Sequence, residues 1–186
     1  MSVIRTLAAC AALLALTAGE AASAQNGVCF SEHDVNSLIS FALPVVMDTT
    51  MKTCRPHLSA QGYFATQGDG LVQRYAARKN PAWPEAKSTL LKIGAKDAKL
   101  KDLIGGMSDQ ALQPFAEGLI GQAIAKEIKP QICPVVERMT RLLSPLPPEN
   151  TVEFLSFTVM LAARADARSR AKAGKAASTD FPVCPA

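Results

Sequence analysis

Four cysteines, Cys29, Cys54, Cys133 and Cys184, span most of the chain and constrain its fold more than any other feature. Their even count, without a Cys-x-x-Cys spacing, reads as two disulfides and not as a redox pair or a zinc site. Three pairings are open to four cysteines. A capping signature at Ser31 starts a helix expected to run to about residue 52, and a rod of that length holds its ends roughly 30 Å apart. A disulfide keeps its two α-carbons within about 7 Å, so Cys29 cannot reach Cys54 across such a rod. The expected pairing is Cys54 with Cys133 and Cys29 with Cys184, the second tying the two ends together. Cys29 with Cys133 and Cys54 with Cys184 stays open on the same argument.

The fifth cysteine, Cys10, falls in a segment with the three zones of a secretory signal: Arg5, an apolar stretch from Thr6 to Thr17, and the small-residue site Ala22-Ser23-Ala24. Residues 1–24 are expected to be a cleaved signal peptide, with cleavage between Ala24 and Gln25. Gly19 and Glu20 interrupt the apolar run before it reaches the length of a membrane span. Leu7-Ala8-Ala9-Cys10 is similar to a lipoprotein acylation box, but the apolar region continues through Ala11 to Leu16, where such a box would end it. The alanine-rich signal with its single arginine points to the periplasm, or secretion, as the destination. Cleavage would remove Arg5 and Glu20 together and leave the net charge of +4 unchanged. Residues 25–186 are then expected to form a single helical domain, large enough to bury its own core.

Helical signals dominate that region. Ser31 with Asp34 forms a capping box, and Phe30 with Val35 a hydrophobic staple. Val35, Leu38, Ile39, Ala42, Val46 and Thr49 follow at helical spacing, with a kink expected at Pro44. Gly62, Gly68 and Gly70 limit residues 56–80 to one or two short helices. Asn80-Pro81 reads as a cap and first turn, predicting a helix from Pro81 to Ile93 closed by Gly94. A short helix is expected over Lys96–Ile104, closed by Gly105-Gly106. Ser108 caps the next helix, whose stripe of Leu112, Phe115, Ala116, Leu119, Ala123 and Ile124 is the plainest amphipathic pattern in the chain.

Cys133, between Pro130 and Pro134, heads a helix with Val135, Met139, Leu142 and Leu143, and Ser144–Pro148 reads as a rigid connector. Asn150 with Glu153 is the expected cap of the last helix. Its first half, with Val152, Phe154, Leu155, Phe157, Val159, Met160 and Leu161, is apolar nearly all round and predicts a central, buried rod. No alternating strand pattern occurs. The expected fold is all-α, a compact bundle of about five to seven helices cross-linked by two disulfides.

Catalytic motifs are missing: there is no nucleophile elbow, phosphate loop, dinucleotide fingerprint or zinc-protease motif. The two histidines, His33 and His57, have structural explanations. In Glu32-His33-Asp34, neighbours on a helix point about 100° apart and do not converge, and Cys54-Arg55-Pro56-His57 lacks further ligands for a metal. No metal or cofactor is expected. Eight basic residues against Glu85 and Asp97 between Arg74 and Lys101, and a second basic run after Arg164, read as solvated helix faces. Nucleic acid is not an expected partner of an exported chain.

Three functions fit. The first is a non-catalytic interaction or assembly module that binds another periplasmic protein. Tyr75, Arg78 and Trp83 would form its patch, since such residues anchor interfaces, although Trp83 also reads as a core anchor. The second is a carrier of an apolar ligand in a cavity lined by Met139, Phe154, Phe157 and Met160. The third is an enzyme using His57 and a basic residue such as Arg55.

Overall fold

The computed structural model describes residues 29–95, 98–174 and 182–184. Residues 1–24, including Cys10, lie outside it, as do Lys96 and Asp97 at the head of the helix expected over Lys96–Ile104. The described residues form seven α-helices. These are α1 (Glu32–Cys54), α2 (Tyr63–Thr66), α3 (Gly68–Gly94), α4 (Ala98–Gly105), α5 (Asp109–Glu127), α6 (Cys133–Leu143) and α7 (Pro148–Lys172). The fold is all-α, as its periodicity predicts.

Helix α1 starts as the capping signature requires. The Ser31 hydroxyl accepts from the Asp34 amide at 3.2 Å, while the Asp34 carboxylate accepts from the Ser31 amide at 2.9 Å. Pro44 is buried inside α1 and does not end it. Helix α1, not the last helix, is the central rod: α3, α5 and α7 all pack on it. Three core clusters succeed one another along its length. Val35 packs with Phe30 and Met160, Phe41 with Trp83, Ile104 and Leu112, and Met51 with Cys54, Phe64 and Cys133.

Both expected disulfides are present, one at each end of α1. Cys29 and Cys184 have α-carbons 4.9 Å apart, and Cys54 and Cys133 5.3 Å apart. The first is reinforced by backbone pairing, Phe30 donating to Pro182 at 2.8 Å and Cys184 to Phe30 at 3.1 Å.

Two boundaries and one buried face differ from expectation. Helix α3 is one element of 27 residues that runs through Pro81 and Pro84, where the sequence suggested a start. Each interior proline costs about 3 kcal/mol. Burial of Tyr75, Trp83, Ala86 and Thr89 on this helix opposes that cost, at about 1.5–3 kcal/mol for a large apolar side chain. Helix α7 begins at Pro148 with no side-chain cap, because proline at the first position already has a helical φ. Asn150 therefore lies inside the helix. Helix α5 buries only Leu112 and Ala116 of its predicted stripe, and Leu119 is exposed.

Asp34 joins α1 to α3. Its carboxylate accepts from Lys92 Nζ at 2.6 Å and from the Thr89 hydroxyl at 3.2 Å, beside the two Ser31 donors. Burial alone would raise its pKa; the hydrogen bonds from Lys92 and Ser31 and the Lys92 charge outweigh it and hold the group at about 2, below 3.8. A carboxylate with a depressed folded pKa stabilises the fold fully above its unfolded value. That contribution is lost as the pH falls from about 4 through 2. We expect Asp34→Asn to cost about 2 kcal/mol at neutral pH and almost nothing at the acid end of that window, read by urea unfolding at each pH. A pH-independent difference would show that the charge is not what Asp34 contributes.

Candidate interaction surface

The interface residues suggested by sequence do not form a surface. Trp83 is 8% exposed, its ring centroid 4.8 Å from that of Phe41, and Tyr75 is 3% exposed with its hydroxyl 3.0 Å from the Thr151 hydroxyl. Arg78 is half-exposed and ion-paired to Glu149. All three hold α3 to its neighbours, Trp83 against α1 and the other two against α7. The expected Tyr75–Arg78–Trp83 patch is thus corrected: their size and amphipathic character are used inside the bundle.

The basic residues from Arg74 to Lys92 are also committed to the fold. Arg74 donates to the Ser144 carbonyl at 3.1 Å, Lys79 pairs with Glu117 at 2.9 Å, Lys87 with Asp109 and Lys92 with Asp34. These residues join α3 to α5, to α1 and to the segment before α7.

Among the described residues, exposed large apolar side chains are concentrated on α6 and α7. Helix α6 is sharply two-sided, yet Cys133 is its only fully buried residue. Val135, Met139 and Leu142, at helical spacing on α6, and Phe154, Phe157 and Leu161, at helical spacing on α7, are each between 56% and 65% exposed. The buried face of α7 is narrow: Val152, Ser156 and Met160, with Thr151 beside them. The expectation of a last helix buried all round is therefore overturned, because only one side of α7 meets α1. Met139, Phe154 and Phe157 face solvent and Met160 packs with Phe30 and Val35, so these four residues do not line a common cavity.

The two stripes flank shared slots. One, of about 110 Å³, lies between Leu43, Met47 and Tyr75 and the side chains Thr140, Leu143, Thr151 and Leu155 of α6 and α7. A neighbouring slot of about 190 Å³ shares Leu43, Met47 and Thr140 with it and extends to Phe64 and Val136. At 100° per residue, Met139 lies about 40° round α6 from Leu143, and Phe154 about 60° round α7 from Thr151. Each exposed stripe thus begins at the rim of the slots.

His33 lies in the first turn of α1 and His57 beyond its last, so the two histidines do not share a site. His57 is exposed in the turn after α1, and Arg55 is held by Asp69 and by the Phe64 carbonyl. His33 shares a cleft of about 470 Å³ with Glu85, Ser37 and Ser40. Its side chain makes no hydrogen bond among the described residues, and the Ser37 hydroxyl donates to the His33 carbonyl at 2.9 Å. Among the described residues there is no group of three metal-ligating side chains, and no helix is long and apolar enough to cross a membrane.

The fold and this surface define a disulfide-linked helical protein with an apolar face that no described element covers. No family model matches the chain, and neither curated proteins nor solved structures provide a similar relative.

Proposed function

We propose that the chain is an exported, non-catalytic helical module of the periplasm that engages a partner through the apolar face of α6 and α7. The six exposed side chains of that face carry the reading. Apolar side chains left exposed in groups on a folded protein mark an interaction site more often than singly scattered ones do, and covering each such side chain contributes about 1.5–3 kcal/mol. Two disulfides support the exported part of the reading, since thiols in the cytosol stay reduced.

The test is site-specific photo-crosslinking in intact producing cells. A photoreactive residue at Met139 or Phe157 should give adducts several-fold above one at Glu32, an exposed position at the start of α1. Equal labelling at all three positions would remove the face from consideration as a docking site.

A further inference from the structure

The charges around the apolar face separate its possible occupants. On α6 and α7, Glu137 accepts from the Phe64 amide, Glu149 pairs with Arg78 and Asp166 with Arg170. Glu153 is the one acidic side chain of these helices without such a partner among the described residues. Five cations are in the same condition: Arg138, Arg141, Arg164, Arg168 and Lys172. This imbalance contrasts with α3, where Arg78, Lys79, Lys87 and Lys92 are all consumed by ion pairs.

Their placement follows the apolar stripes. On α7 the series Phe154, Phe157, Leu161 continues at the same three- and four-residue spacing into Arg164 and Arg168, so that one helix face changes from apolar to cationic along its length. On α6, Arg138 lies about 40° round the helix from Leu142, and Arg141 further round on the same side. The unpaired charges beside the apolar groups are mostly cationic, Glu153, about 40° round α7 from Phe157, being the acidic exception among the described residues.

We infer that the α6–α7 face docks on an anionic lipid surface, with the Phe154, Phe157, Leu161 and Val135, Met139, Leu142 stripes entering the acyl boundary and the unpaired arginines meeting lipid phosphates. The inference rests on the module reading above and names its partner. A membrane interface offers apolar and anionic chemistry within the 5–10 Å depth that an in-plane amphipathic helix occupies, and guanidinium groups take phosphate oxygens in paired hydrogen bonds. A second copy of the chain fits less well, since it would bring the same excess of cations to both sides of the contact.

The experiment is flotation of the protein recovered from the exported fraction with vesicles of phosphatidylcholine alone or mixed equally with phosphatidylglycerol. Binding should be about tenfold or more tighter on the anionic vesicles and should fall at high salt. Replacing Arg138, Arg141, Arg164 and Arg168 by glutamine should abolish that preference. Phe157→Ser with Leu161→Ser should weaken binding to anionic vesicles at unchanged charge, and circular dichroism checks that both variants remain helical. Failure to float, equal binding to both vesicles, or anionic binding that the arginine variant retains would overturn the inference. So would a sedimentation-equilibrium dimer dispersed by the Phe157→Ser, Leu161→Ser variant. Crosslinks at Met139 and Phe157 that persist despite absent flotation would leave the module reading standing and remove only its lipid partner.

Discussion

Replacing Cys54 and Cys133 together by alanine should lower the stability of the chain by about 3–5 kcal/mol. Closing a loop of 79 residues removes about that much chain entropy from the unfolded state, and both cysteines are fully buried. The loss should be unevenly distributed. Helix α6 buries no other residue completely, and its remaining ties include the Glu137 carboxylate accepting from the Phe64 amide at 2.9 Å. Native-state hydrogen exchange of the variant should therefore show amides of α6 losing protection far more than those of α1 and α3. Protection retained in α6 would mean that packing, not the bridge, holds that helix in place.

The second large effect is expected at Trp83. Trp83→Ala removes the ring packed against Phe41 from the cluster that also holds Ala86, Ile104, Leu112 and Ala116. Aromatic-to-alanine changes in a packed core cost about 3–5 kcal/mol. The position has an additional role, because Trp83 lies between Pro81 and Pro84 and packs the proline-interrupted part of α3 against α1. Urea unfolding followed by circular dichroism measures the change. A loss under about 1 kcal/mol would place Trp83 outside the core, since substitutions at the surface fall in that range.

Much of the architecture was legible because it depends on local chemistry or on distance. The Ser31–Asp34 box and the Phe30–Val35 staple are satisfied by neighbours in sequence, so their residues suffice to predict the start of α1. Helix length excluded a Cys29–Cys54 bridge but left two pairings open, and the structure selects Cys29 with Cys184 and Cys54 with Cys133. Pro81 misled because a proline after asparagine is locally a good helix start, whereas here the adjoining turns stay helical as their side chains pack against α1.

The interaction surface was misread for a different reason. Periodicity grouped the apolar residues of α6 and of α7 and, on α7, suggested a buried rod. Spacing reveals which residues share a face but not whether another element lies against it. The same limit applies to Tyr75, Arg78 and Trp83, whose composition suits an interface and equally suits the contacts they make inside the bundle. The sequence by itself determined the helical class, the first cap and, through helix length, the exclusion of a Cys29–Cys54 bridge. Only the tertiary structure decided which apolar faces are covered and which cations are paired, because burial and charge neutralisation depend on neighbours brought together from remote parts of the chain.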